Sequence, residues 1–372
     1  MESNWAFFAD VAVFGAPSRY VQGAGAVRHI GELARRLGDS AVLVTDPVIL
    51  ELYGEQISAL LLEAGLHNVS LTFDGALGPD TASDLESQMP DLQWPVVLAC
   101  GGGRAIDAGK ALVERINAPL VTIPTAASND APTSKNFVLY DKDHKLLEVR
   151  HLTRNPDCVL IDTEILSRAP KHFFAAGLGD ALSKAVEARA CAAVGGRNMF
   201  AARPTRTALA IAEACEAVLL EHGAAAYDAA GGGKVTPSFE AAIEAMILMA
   251  GLGFESGGLS VAHAMTRGLS LVPGARTAQH GLQVAYGTTV QCELEGRKMP
   301  DALLAIYRHV GLPLSFHALA GRDLTDADIE TITEATLPVP HMRNFPHEVS
   351  EAGFRDALSQ IESRNGLLKT EL

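Results

Sequence analysis

"WPVVLACGGGRAIDAGKALVERIN", residues Trp94–Asn117, decides the fold. An apolar, valine-rich run comes first, then Gly101, Gly102 and Gly103, then a run with helical spacing. A short, nearly continuous apolar run suits a strand covered on both faces. A strand leading through a tight turn into a helix is the repeating unit of a parallel sheet. The glycines remove side chains that would hold a pyrophosphate off the backbone, and the helix start adds free N–H groups and partial positive charge. The stretch is neither GxGxxG nor a Walker motif. On the residues alone, a simple flexible turn remains the other reading.

The same pattern repeats on both sides. Ala41–Val44, Val69–Phe73, Pro119–Ile123 and Val159–Ile161 are further strand candidates, with helical patterns such as "VRHIGELARRLG" and "QISALLLEAG" between them. This alternation predicts a parallel sheet with right-handed crossovers and ligands at the carboxyl ends of its strands. "SAVLVTD" ends at Asp46. A carboxylate there can accept hydrogen bonds from ribose hydroxyls and repel a 2′-phosphate, or it can simply cap a helix. "VTIPTAASNDAPTSKNFVLYD", Val121–Asp141, reads as a strand followed by a polar stretch carrying Asp130. It suits a sugar or polyol, and equally an ordinary connection.

Beyond Asp162 the strand signals fade. "FAAGLGDALSKAVEARACAA", "RTALAIAEACEAVLLEHG", "SFEAAIEAMILMAGLG", "DALLAIYRHVGL", "DADIETITEAT" and "EAGFRDALSQIESRNG" read as helices, with "AAAYDAAGGGKVTPS" as a loop. The predicted domains are an α/β part, 1–168, and an all-helical part, 169–372.

Composition narrows the function classes. A chain of 372 residues, 48% hydrophobic, suits two domains. Lys plus Arg is 30 against 44 Asp plus Glu, a net charge of −14 that argues against nucleic acid as a partner. The first residues lack a basic start followed by an apolar core, and no run of about 18 consecutive apolar residues stands out. A cytoplasmic location with no membrane partner is the expectation. The five cysteines are widely spaced with no CxxC pair, so they read as small buried hydrophobes.

"LSVAHAMTRGLSLVPGARTAQHGLQVAYG", Leu259–Gly287, places His263 and His280 among small residues on either side of Pro273-Gly274. Seventeen residues of straight helix would separate them by about 25 Å. A break at Pro273-Gly274 lets them converge. Zinc takes imidazole nitrogens plus a carboxylate and keeps one position open for catalysis. Asp180, in the apolar helix after "GLG", is the candidate acid. Two core histidines with a helix cap remain the alternative at this point.

"GGGRAIDAGKAL", "IPTAASNDAPTS", "RNPDCVLIDTEIL", "AAGLGDALSKAVEAR", "GFESGGLSVAHAMTRGL" and "QHGLQVAYG" together resemble the glycerol dehydrogenases, within the metal-dependent group III, or iron-containing, alcohol dehydrogenase superfamily. The resemblance covers nearly the whole chain. It implies a dehydroquinate synthase-like architecture, with an N-terminal dinucleotide-binding domain, a helical C-terminal domain and a cleft between them. It implies Asp180, His263 and His280 as metal ligands. Iron-type members commonly carry another histidine four residues after the aspartate, where this chain has Lys184, so the resemblance implies zinc rather than iron, with iron the alternative. Asp130 matches a substrate-contacting aspartate and Phe254 a pocket residue. NAD contacts map to Asp46, Gly103, Arg104, Ala105, Ile106, Asp107, Thr125, Ala126, Ala127, Ser128, Ser134, Asn136 and Tyr140.

Lys135 and Lys184 depart from the glycerol enzymes. Each reads by default as a lysine turned to solvent. Turned inward, either would add a cation suited to a carboxylate or phosphate, with Lys135 as a substrate contact. The implied reaction is NAD- and metal-dependent oxidation of a vicinal diol to a hydroxyketone, by default glycerol to dihydroxyacetone. A hydroxycarboxylate or α-hydroxyketone dehydrogenase is the alternative, and a dehydroquinate synthase-like lyase the remote one. The partners implied are a small polyol or hydroxyketone and other copies of the chain, from dimer to octamer.

Overall fold

The computed structural model describes residues 8, 10–73, 75, 77–141 and 146–368. Six strands form one sheet: β1 (Tyr20–Gly23), β2 (Ser40–Thr45), β3 (His67–Thr72), β4 (Pro95–Gly101), β5 (Leu120–Pro124) and β8 (Cys158–Asp162). They lie in the order β1-β8-β5-β4-β2-β3, and every neighbouring pair is parallel.

β2, β4, β5 and β8 behave as double-faced strands, whereas β3, at the sheet edge, is mostly exposed or half-buried. Val97 and Ala99 of β4 pack with Ala105, Ala108 and Leu112 of helix Gly103–Ile116. Val96, Leu98 and Cys100 of the same strand pack with Ile30, Ala34, Ile57 and Leu61 on the other face. Each fully buried aliphatic side chain contributes about 1.5–3 kcal/mol, which is why these strands tolerate no polar alternation.

The strand order reverses at β2. From β2 the chain continues outward to β3, then returns to place β4 on the other side of β2. Ligands collect in the crevice at the carboxyl ends of strands flanking such a switch. Asp46 directly follows β2, and Gly101 closes β4.

An antiparallel hairpin, β6 (Asn136–Tyr140) with β7 (Leu146–His151), was not expected from sequence. Phe137 and Leu139 are buried in the core while Asn136, Val138 and Tyr140 are only half-buried. That alternation is short and sits at the end of a polar stretch, which hid it.

The helical part comprises chiefly Lys171–Ala193, Arg206–Ala229, Val261–Leu269, His280–Leu294, Asp301–Val310, Asp326–Thr336 and Glu351–Leu368. Its core includes Val261, Met265, Tyr286, Phe316, Ile332, Phe354 and Leu358. The expected loop at "AAAYDAAGGGKVTPS" is shorter than its sequence suggested. Alanine is the best helix former, so helix Arg206–Ala229 runs on through "AAAYDA" and stops before the glycines.

The chain divides into two compact units, neither contiguous. One is Gly15–Phe174 with Ala229–Gly251; the other is Ala175–Asp228 and Leu252 onward, with the described residues before Gly15. A single cut after 168 therefore differs from the structure chiefly at 229–251. Helix Pro237–Gly257 explains the difference. Gln22 of β1 donates to the Glu240 carbonyl at 2.9 Å and to its carboxylate at 2.7 Å, and Thr163 donates to that carboxylate at 2.6 Å. Thr133 donates to the Ile247 carbonyl at 3.2 Å. With a mean hydropathy of 1.3 this helix is apolar and long enough to cross a bilayer, but Phe239, Ala242, Ile243, Met246 and Ile247 are buried in protein. It serves as a core helix.

Candidate active site

In the α/β unit the glycine turn has the backbone its sequence suggests. Gly101 has φ +142°, and a Cβ there would stand 2.6 Å from the Ala105 Cβ. Helix Gly103–Ile116 starts from Gly102 with no side-chain cap, so its first N–H groups face outward from the crevice end of β4. A Cβ on Gly102 would meet nothing within 4 Å. This uncapped cradle fits a pyrophosphate. Asp46 is a helix cap as well: Oδ1 accepts from Val48 N and Ile49 N, both at 3.0 Å. Its Oδ2 lies toward Gly101.

The remaining nucleotide candidates gather around this turn. Arg104 is exposed and reaches the Gly75 carbonyl at 3.3 Å. Ala105 and Ile106 are buried in the first helical turn. Thr125 N donates to the Gly101 carbonyl at 3.0 Å, and Ala126, Ala127 and Ser128 continue from it. Asp107 is buried. Its Oδ2 accepts from Val138 N at 3.1 Å, while Oδ1 accepts no hydrogen bond and stands 3.7 Å from Lys110 Nζ. Burial pushes the Asp107 carboxyl up to about 6 against the pull of Lys110. Burial also raises the Tyr140 phenol, with the Asp107 charge adding to it.

Lys110 went unnoticed in the sequence. It is fully buried and donates to the carbonyls of Ala131 and Asn136 at 2.6 Å each, with Ser134 Oγ at 3.5 Å. It pins the polar stretch around Asp130 to the nucleotide helix. Thr122 pins the same stretch by donating to the Pro132 carbonyl at 2.8 Å. Asp130 itself is buried here. Lys135 is buried too, against the solvent-facing expectation, with Nζ 3.2 Å from Asn136 Oδ1 and 3.4 Å from His151 Nδ1.

In the helical unit the two histidines meet. Gly274 takes φ +84°, and a Cβ there would stand 2.6 Å from the Ala320 carbonyl oxygen. Helix Val261–Leu269 ends before this turn, and His280 opens helix His280–Leu294 after it. The two rings come to 5.4 Å between centroids. Asp180, 2% exposed, joins them: Oδ1 lies 3.2 Å from His263 Nε2 and 3.9 Å from His280 Nε2. All three donor atoms fall within 4.8 Å of one another. Ligands held about 2.0–2.2 Å from a zinc-type ion stand roughly 3–4 Å apart. Donor type and spacing therefore fit one divalent ion.

Asp180, Lys184 and Glu187 share one face of helix Lys171–Ala193, at i, i+4 and i+7. Glu187 is fully buried. Its Oε1 accepts from Ser260 N at 2.7 Å and His263 N at 2.9 Å, and its Oε2 pairs with His263 Nδ1 at 2.5 Å. This fixes the ring so that Nε2 faces Asp180. The signal for Glu187 was present as a charged stripe, Asp180, Lys184 and Glu187, on a helix whose remaining residues are mostly small or apolar.

Lys184 also overturns its solvent-facing expectation. It is 1% exposed and donates to Asp180 Oδ1 at 2.8 Å, with His263 Nε2 at 3.1 Å. The Phe254 ring centroid lies 5.1 Å from its ammonium. Burial would raise the Asp180 pKa, but the Lys184 ammonium and the two imidazoles outweigh it and hold the carboxyl far below its usual range. Burial lowers the His263 pKa, but Glu187 and Asp180 lift it to about 9. His280, 48% exposed on its side chain, is pushed down to about 4 by desolvation of its ring and by the neighbouring cations. Burial and the His263 charge push the His341 imidazole down to about 4.

Comparison with known proteins agrees with the fold and the motifs. A family model described as iron-containing alcohol dehydrogenase matches residues 17–163. A glycolaldehyde reductase of Halobacterium salinarum is 36% identical over 350 residues, 93% of this chain and 96% of that one. A glycerol dehydrogenase of Escherichia coli is 35% identical over 87% of this chain and 89% of its own. The crystal structure of glycerol dehydrogenase from Schizosaccharomyces pombe superposes with a TM-score of 0.92 at 30% identity, covering 97% of this chain and 93% of that one. The chain is an oxidoreductase belonging to the iron-containing alcohol dehydrogenase family.

Proposed function

We propose that the chain oxidises a vicinal diol to a hydroxyketone with NAD, glycerol to dihydroxyacetone by default, and runs the reverse reduction. The convergence of Asp180, His263 and His280 across a helix break carries this reading. The names of the Escherichia coli and Schizosaccharomyces pombe relatives support the substrate class.

Asp180, His263 and His280 would hold a divalent ion, zinc by the donor set, with iron as the alternative. When bound, such an ion supplies the Lewis acid that acidifies the alcohol, and NAD supplies the hydride acceptor. Glu187 keeps His263 in one tautomer and orientation. Phe254 walls the site beside Lys184. The uncapped start of helix Gly103–Ile116 holds the pyrophosphate, and Asp46 selects NAD over its 2′-phosphate. Gly103–Asp107, Thr125–Ser128, Ser134, Asn136 and Tyr140 complete the nucleotide contacts. Asp130 orients the substrate hydroxyls, and the proton leaves through water. The active form is a homo-oligomer.

A second reading, reduction of a small α-hydroxyaldehyde or hydroxyketone, is favoured by the relative named glycolaldehyde reductase. Family membership leaves the lyase alternative without an observation in its favour. The test is a panel of polyols, hydroxyaldehydes, hydroxyketones and hydroxy acids with NAD, followed by nicotinamide absorbance. Turnover of glycerol and dihydroxyacetone is expected. Turnover of hydroxy acids alone would reject the proposal.

A further inference from the structure

The Lys184 ammonium and a divalent ion need the same atoms. His263 Nδ1 is committed to Glu187, so Nε2 is the ring nitrogen left for an ion, and it must be free of a proton to bind one. That atom faces Lys184 Nζ at 3.1 Å. Asp180 Oδ1 is shared in the same way, 2.8 Å from Nζ and within reach of both histidines. An ion coordinated by His263 would have to take the Nε2 position that Nζ now faces. It would also bring two positive charges beside a buried ammonium, a costly juxtaposition where water cannot screen it.

The ammonium is well housed. Its ion pair is buried at both ends, and the Phe254 ring covers it. A buried lysine there is tolerated only because its charge is paired.

We propose that Lys184 is an internal stand-in for the metal: its ammonium and a divalent ion are alternative occupants of Asp180 Oδ1 and His263 Nε2. Loading an ion expels the ammonium, so the wild-type chain binds metal weakly. Without metal, the same lysine holds Asp180 and His263 in their places, so the site survives stripping. Lys184 is a positioning residue in this role. The inference rests on the reading that Asp180, His263 and His280 hold an ion, and it adds what competes for them.

The test uses the full chain stripped with a chelator, as wild type, Lys184→Met and Lys184→Thr. Zn²⁺ binding is followed by calorimetry, Co²⁺ binding by visible absorption, and stability by melting with and without chelator. Folding of each variant is checked by circular dichroism. At least about 100-fold tighter binding is expected in either folded variant, one ion per chain, as for removal of a buried competing charge. Chelator should lower the melting temperature of the metal-loaded variants and leave wild type unmoved. Equal affinity in wild type and variants overturns the inference while the ion site stands. So does a wild-type chain that keeps its zinc through dialysis against chelator, a result that needs no variant to fold. No binding by any of the three chains removes the ion site itself, and the inference with it.

Discussion

The two candidate half-sites are built by opposite means. In the α/β unit the nucleotide cradle is backbone: a glycine turn, an uncapped helix start and one carboxylate beside it. In the helical unit the site is made of side chains from three helices, with Asp180, Lys184 and Glu187 buried, His263 mostly so and His280 open to solvent on one side. A backbone site depends on local conformation and tolerates changes of most side chains around it. A site of buried charges stands or falls with each partner, because every charge is there only while another balances it.

Breaking that balance should give the largest effect. Asp180→Asn keeps the shape and removes the charge. It leaves the Lys184 ammonium without its carboxylate and should cost about 3–5 kcal/mol in chelator-treated protein. Urea unfolding measures this, and a loss below 1 kcal/mol would contradict the ion pair as described.

Asp107 is a comparable liability in the α/β unit, and pH exposes it. Asp107 keeps its proton in the folded state up to about 6, above its unfolded range. The unfolded chain ionises first as pH rises, so stability should fall between the ordinary carboxylate range and about pH 6, then level off. The decline should be at most about 3 kcal/mol. Asp107→Asn should remove it. An unchanged pH profile in the variant would assign the decline elsewhere.

Backbone changes should do less to the charges and more to the geometry. Gly274→Ala forces a side chain into a positive φ and against the Ala320 carbonyl. A loss of about 1–3 kcal/mol is expected, together with weaker metal binding as His280 shifts. Full retention of both would show that the break does not position His280.

The smallest effect belongs to Asp46→Ala. Losing the cap costs about 1 kcal/mol. NADP use should rise relative to NAD, and an unchanged cofactor ratio would reduce Asp46 to a cap.

This contrast also explains what could be read from the sequence. Gly101–Asp107 lie within one strand–turn–helix unit, so their chemistry was visible in a single quoted stretch. The double-faced strands were visible because burial on both sides leaves only apolar residues. His263 and His280 could be suspected from the break between them, and Asp180 as an acid in an apolar helix, but it took the resemblance to join the three, since nothing local links Asp180 to residues more than eighty positions away. Spacing placed Lys184 on the face of Asp180 without showing whether that face was wet or dry. Lys110 and Lys135 were hidden for the same reason: burial of a lysine is decided by partners elsewhere in the chain.

The five cysteines lead to a practical consequence. All are buried and free, with Cys100 and Cys158 in the α/β unit and Cys191, Cys215 and Cys292 in the helical one. Burial pushes the Cys100 and Cys191 thiols up to about 12 and those of Cys158 and Cys292 to about 11, so none of these four is a reactive thiolate while folded. An alkylating reagent will find each sulfur only when the surrounding structure opens. Sorting the modified positions by mass spectrometry would then time the opening of each unit separately, with no label added to the chain.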